Sequence, residues 1–148
     1  MNTPSGQITT TDPHVAVHEW FERLGHYCAL VDYEAARAIF ADDVVAFGTN
    51  MEIEAGLDSL QQNQWEGIWP NISDFRFDLG RIHVKGESER AWGVATWSST
   101  GFDDAGSPFD RPGRATVVLE RREGRWLAVH THFSLVPGTP QRIYGSRS

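Results

Sequence analysis

The first third of the chain carries apolar residues at helical spacing, and the second half carries them in alternation. Val17, Trp20, Phe21, Leu24, Tyr27, Cys28 and Val31 fall on one side of a helix over residues 14–31, with Asp12 as its cap and Pro13 in its first turn. Asp32 caps a second helix over residues 33–40, with Ala36, Ile39 and Phe40 inward, and Asp42-Asp43 stops it. Residues 44–47 form a strand, Gly48-Thr49-Asn50 turns it, and residues 51–54 return as a short partner. Gly56 opens a third helix running to about Ile68 and stopped by Pro70, with Leu60, Trp65 and Ile68 on its apolar side.

Strands follow. Residues 75–85 form one, with Gly80 marking a bulge. Residues 90–102 form another, in which Trp92, Val94, Thr96 and Ser98 alternate with Ala91, Gly93, Ala95 and Trp97. A polar loop over residues 103–108 leads to the hairpin of residues 114–134. If Arg122-Glu123-Gly124 is a three-residue loop, Arg121 pairs with Arg125, Arg114 lies opposite His132, and Thr116 opposite His130. Trp126, Ala128, His130, His132 and Ser134 then share a face with Arg114, Thr116 and Val118. A two-residue turn at Glu123-Gly124 shifts the register by one and separates Arg114 from the histidines. The opposite face carries Ala115, Val117, Leu119, Leu127, Val129, Thr131, Phe133 and Leu135 and is almost wholly apolar. This order predicts an α+β domain over residues 13–137: a curved antiparallel sheet with three helices packed on one face. Residues 1–12 read as a flexible lead-in and residues 138–148 as a tail.

Composition narrows the partners. A chain of 148 residues, 40% hydrophobic with six tryptophans, suits one domain with a substantial core. A net charge of −7 argues against nucleic acid or an anionic membrane as partner. The single cysteine, Cys28, cannot form an internal disulfide, and no stretch is long and apolar enough to span a bilayer. Both fit a cytoplasmic protein.

Chemistry concentrates on the polar end of the hairpin. Arg114, His130, His132, Thr116 and Ser134 converge there, as a binding pocket requires and a packed core does not. His132 is the candidate general acid or base, because imidazole titrates near neutrality. Arg114 is the candidate oxyanion holder, His130 orients the substrate or shares the proton, and Thr116 and Ser134 supply hydrogen bonds. The Arg114 charge needs an anion, either a ligand carboxylate, phosphate or enolate, or an internal partner such as Asp110. As neighbours, Arg114 and His132 would tie anion binding to proton uptake. Trp97, Trp65 and Trp69 are expected as pocket walls, with Tyr27 and Phe47. A metal would need further ligands beyond the His-x-His pair. Asp110, His83, Glu52 and Glu54 are available, but no spacing predicts their convergence, so neither metal nor cofactor is expected.

Two motifs carry a family likeness. Residues 32–43, DYEAARAIFADD, resemble the second helix and strand entry of the nuclear transport factor 2-like superfamily. The closing run GRATVVLERREGRWLAVHTHFSLVP resembles SnoaL-like members and the association domain of calcium/calmodulin-dependent kinases. The resemblance covers residues 14–137. It implies a cone-shaped, cystatin-like roll with a pocket between sheet and helices. It also implies a homodimer through the outer sheet face, for which the sequence offers Ala115, Val117, Val129, Thr131 and Phe133. Ketosteroid isomerases in this superfamily use an aspartate and a tyrosine. These fall on Gly48 and near Leu24, with Tyr27 one turn later, so that mechanism is not expected. The implied function is binding of a small, anionic organic molecule, with proton-transfer isomerase, cyclase or dehydratase activity. The alternative is a non-catalytic ligand-binding or dimeric assembly module.

Overall fold

In the computed structural model, which describes residues 7–49 and 51–145, local capping chemistry starts the first helix where the sequence places it. The Asp12 carboxylate accepts from His14 N at 2.9 Å, and Pro13 begins α1 (Pro13–Leu30). Val31, in the left-handed region at φ 55°, ends it. Asp32 caps α2 (Tyr33–Arg37) through Ala35 N. Then come β1 (Phe40–Gly48), β2 (Met51–Ala55), α3 (Leu57–Leu60), a π turn (Gln61–Trp65), α4 (Glu66–Ile68) and a 3-10 turn (Trp69–Asn71). The remainder is β3 (Ser73–Phe77), a 3-10 turn (Leu79–Arg81), β4 (His83–Gly86), β5 (Arg90–Phe102), β6 (Pro108–Asp110), β7 (Gly113–Arg122) and β8 (Arg125–Leu135).

The fold is α+β, as expected, but the sheet is mixed. Its order is β2-β1-β8-β7-β5-β3, with β4 and β6 also paired to β5. All pairs are antiparallel except β1 and β8, which run parallel with Val45 opposite His130 and Phe47 opposite His132. The expected all-antiparallel sheet is therefore corrected. Hydrophobic alternation reports which face of a strand is buried and is blind to strand direction. Several boundaries move too. Strand β1 begins at Phe40, where Phe40 pairs with Ala128, so α2 is shorter than expected. The single strand expected over residues 75–85 is two, joined by a turn in which Asp78 caps Gly80 N, so Gly80 marks no bulge. The α-helical part of the third run ends at Ile68, as expected, two residues before Pro70. Pro70 sits in the opening of the 3-10 turn, where a missing N–H is tolerated.

Helices cover one face of the sheet, and the apolar hairpin face is the one they cover. Ala115, Val117, Leu119 and Thr131 are at most 3% exposed, and Phe133 packs against the same core. The small residues Ala91, Gly93 and Ala95 on β5 lie on that face. Any side chain at Gly93 would overlap Val17 of α1. The expected dimer face of Ala115, Val117, Val129, Thr131 and Phe133 is thus corrected: four of its members face inward and Val129 is a bulge residue. The expected lead-in and tail are also part of the fold where described. Ile8 is fully buried and its carbonyl accepts from Trp126 N at 2.9 Å, and Trp126 Nε1 donates to Thr10 O at 2.8 Å. Tyr144 N donates to Phe102 O at 3.0 Å, and Ile143 packs against the core. Residues 1–6 and 146–148 of those segments, and Asn50 of the first hairpin turn, lie outside the described residues.

The β7–β8 turn has two residues. Arg122 pairs with Arg125, and Glu123 and Gly124 have φ of 52° and 79°, the type I′ pattern. By itself this shifts the register by one. A second shift follows, because Leu119 pairs with Ala128 but Val118 pairs with His130, leaving Val129 unpaired. Two one-residue shifts restore parity, so Arg114, Thr116, His130, His132 and Ser134 do share a face. Arg114 now lies opposite Ser134, and Thr116 opposite His132. The bulge also separates Trp126 and Ala128, which point inward, from the histidines. Glutamate at a left-handed turn position is unfavourable, and asparagine is not. Glu123→Asn is expected to raise the free energy of urea unfolding by about 0.5–1 kcal/mol. An unchanged or lower value would contradict the two-residue turn.

Candidate binding cavity

The helical run after β2 is interrupted by one π turn, and that turn aims two side chains inward. Gln64 is 9% and Trp65 4% exposed. Side-chain bonds hold the turn from outside. Arg37 donates to Gln61 Oε1 at 2.9 Å and to Asp58 Oδ1 at 2.7 Å. The buried Glu54 carboxylate on β2 accepts from Ser59 Oγ and, at 2.9 Å, from Asn63 Nδ2. Such turns place side chains a regular helix cannot.

Between this run, the end of α1 and the inner sheet face lies a cavity with about 50 Å³ in which the centre of a water molecule can sit. Most of its wall is aromatic or aliphatic. Trp65 and Trp69 stack at 4.7 Å, and Tyr33 stacks on Trp69 at 5.5 Å. Phe75 and Phe133 flank Trp97 at 5.3 and 6.2 Å. Burial and the nearby Glu66 raise the Tyr33 phenol above its ordinary range, so it is neutral at pH 7. The Trp97 ring lies over Gly113, where any side chain would overlap it.

One cation is set into this wall. Arg111 follows β6 and is fixed by its backbone: its N–H donates to Ser99 O, and its carbonyl accepts from Ser99 Oγ, both at 2.9 Å. The side chain is 1% exposed. Its Nη2 donates to Thr49 Oγ1 at 3.1 Å, and its Cζ lies 5.6 Å from the Trp97 ring centroid. Burial lowers its pKa to about 10, so it remains charged at pH 7, and no carboxylate among the described residues supports it. Gln64 Nε2 donates to the same Thr49 oxygen at 3.2 Å. Gln64 Oε1, Arg111 Nε and Trp97 Nε1 are buried without hydrogen-bond partners among the described residues.

The expected site residues divide. Trp65, Trp69 and Trp97 line the cavity. Phe47 borders it, but its ring packs on the outer face against His132 and His130, at 5.0 and 6.0 Å. Tyr27 is half-buried against the core and does not line the cavity. Arg114, His130, His132, Thr116 and Ser134 all lie on the outer sheet face, away from it. Arg114 Nε donates to Ser134 Oγ at 3.2 Å, and His130 Nδ1 donates to Val45 O at 2.7 Å. The expected catalytic grouping of His132, His130 and Arg114 is therefore corrected: they are neighbours, but not in the cavity. Helices cover the apolar face, so the cavity forms on that side. Among the described residues no three His, Cys, Asp or Glu side chains are grouped to hold a metal. Gly48 and Leu24, the positions compared with ketosteroid isomerases, both line the cavity. Sequence reading missed Arg111, Gln64 and Thr49. Only Arg111 left a signal, as an arginine two residues before Gly113, where the next strand begins.

Comparison with known proteins agrees with this architecture. A family model for the SnoaL-like domain matches residues 7–138. A provisionally assigned calcium/calmodulin dependent protein kinase II association domain from Xanthomonas campestris has TM-score 0.72 at 20% identity, covering 94% of this chain and 99% of its own. A provisionally assigned dehydratase of the nuclear transport factor 2-like family from Streptomyces avermitilis has TM-score 0.70 at 18% identity, covering 84% and 97%. A nuclear transport factor 2-like superfamily protein from Salmonella enterica serovar Typhimurium has TM-score 0.70 at 18% identity, covering 84% and 91%. At these identities the likeness is one of fold. No curated protein matches the chain. No helix among the described residues is long and apolar enough to cross a membrane.

A buried cation with one side-chain hydrogen bond and no carboxylate beside it among the described residues weakens the unliganded protein. Arg111→Met is expected to raise unfolding free energy by about 1–2 kcal/mol in urea titration without ligand. A loss of stability would mean that Arg111 is a structural strut.

Proposed function

The chain belongs to the SnoaL-like domain family of the nuclear transport factor 2-like superfamily, and from that premise we propose that its cavity binds a small organic anion through Arg111. One observation carries the reading: fully buried Arg111 lines an aromatic cavity and has no carboxylate beside it among the described residues. A buried charge calls for an opposite charge, and here the ligand supplies it. The apolar wall fits the ligand's hydrocarbon part. The cavity is small, and the stacked Trp65 and Trp69 form part of its wall.

Binding is better supported than catalysis. Among the described lining residues, Arg111 and Cys28 are the ionisable ones, and no imidazole or carboxylate lines the cavity. Isomerase, cyclase or dehydratase chemistry here would depend on Arg111 and Trp97 Nε1 stabilising a developing oxyanion, as both are buried donors held in place by the fold. Proton transfer by His132 has no part in it. In thermal-shift assays at pH 7, aromatic and alicyclic carboxylates are expected to raise the melting temperature of the wild type, and the matching amines are not. Arg111→Met is expected to abolish the carboxylate response. Stabilisation by amines, or a carboxylate response that survives the substitution, would sink this reading.

A second copy of the chain suits the outer sheet face. Val45, Phe47 and Trp92 are 42%, 37% and 43% exposed there, beside His130, His132 and Thr116. An apolar stripe of this kind favours self-association about a two-fold axis. Analytical ultracentrifugation at micromolar concentration is expected to give a dimer for the wild type and a monomer for Phe47→Glu/Trp92→Glu. A wild-type monomer would remove this proposal.

A further inference from the structure

The unpaired groups on the cavity wall are of two kinds. Arg111 Nε and Trp97 Nε1 donate, whereas Gln64 Oε1 accepts. Buried polar groups in native proteins are nearly always paired, and these three belong to side chains that line the cavity, so a ligand seated there is the nearest source of partners for them. A simple carboxylate answers the two donors and leaves the acceptor facing an oxygen. We propose that the ligand is a hydroxycarboxylate, with its hydroxyl donating to Gln64 Oε1 while its carboxylate is held by Arg111 and Trp97. This rests on the reading of the cavity as an anion site and makes Gln64 its specificity-determining residue.

Three features fix Gln64 in that role. The π turn carries it inward, and Glu54, Ser59 and Asn63 tie that turn to β2. Gly48 leaves room for the amide, because any side chain there would overlap it. The Nε2 bond to Thr49 Oγ1 then sets which end of the amide stays unpaired. Thr49 supplies the scale as well. Its Oγ1 lies 3.2 Å from Gln64 Nε2 and 3.1 Å from Arg111 Nη2, so amide and guanidinium are adjacent. A ligand reaching both residues carries its hydroxyl close to its carboxylate. A neutral amide suits the task, since it accepts a hydrogen bond without neutralising Arg111, as a glutamate there would. Sites that hydrogen-bond a ligand hydroxyl reject analogues lacking it more strongly than apolar pockets reject a missing methylene, because the site's own buried group is left unpaired.

Isothermal titration calorimetry at pH 7 with matched acids tests this: lactate against propionate, and mandelate against phenylacetate. In the wild type the hydroxy acid of at least one pair is expected to bind at least about tenfold more tightly than its partner. In Gln64→Met that gap is expected to close to within about twofold, with the deoxy acid binding at least as tightly as to the wild type, which also reports an intact fold. Gln64→Glu is expected to weaken both acids of each pair at least about tenfold, since the new carboxylate would satisfy Arg111 internally. Equal binding within both pairs, a preference that survives Gln64→Met, or full affinity in Gln64→Glu overturns the assignment of Gln64 while leaving the anion site standing. If neither acid of either pair binds the wild type, the anion site itself falls, and this inference with it.

Discussion

The close approach of α1 to the sheet is the constraint on which the rest depends. It is possible because β5 presents Ala91, Gly93 and Ala95 to the helix, and Val17 and Phe21 occupy the space a side chain at Gly93 would need. Further along the same face the small residues give way to Trp97, whose ring lies over Gly113. Helix and sheet are thus held tight at one end and propped apart by aromatic rings at the other. The cavity occupies the propped end. Burial of α1 through Trp20, Phe21 and Leu24 anchors the arrangement, with Trp20 Nε1 donating to Ile39 O at 3.0 Å.

That geometry explains why one cation can be kept in so apolar a place. The Arg111 side chain is fed into the wall from a backbone locked to Ser99, at the point where β6 hands over to β7 along the edge of β5. Its position is set by covalent connection and backbone hydrogen bonds, so no counter-ion is required to hold it. Thr49 and the face of Trp97 offset part of the desolvation, while Nε remains unmatched.

The hairpin of β7 and β8 shows how local and global rules divide the work. Alternation identified two chemically distinct faces, and both exist. The type I′ turn at Glu123-Gly124 displaces the register by one residue, and the bulge at Val129 displaces it by one more. Either alone would have parted Arg114 from the histidines; together they keep them on one face, with Arg114 now opposite Ser134. A bulge leaves little trace in sequence, since Val129 is as apolar as its neighbours.

By itself the sequence determined the fold class, the first two helix starts at Asp12 and Asp32, and the long alternating strands, because capping, periodicity and turn chemistry act between residues close in the chain. It also marked Trp65, Trp69 and Trp97 as residues of the future cavity wall. Tertiary structure alone decided which hairpin face looks inward. A polar cluster suggests a pocket, but helices bury the face that is apolar, and the larger loss of water-exposed hydrocarbon prevails. So His130, His132 and Arg114 went outward, and the inward chemistry fell to Arg111, Gln64 and Thr49. These three come from a strand junction, a π turn and a hairpin end, with Thr49 and Arg111 separated by 62 residues in the chain. No spacing rule connects them, because only the packing of helices on the sheet brings them together.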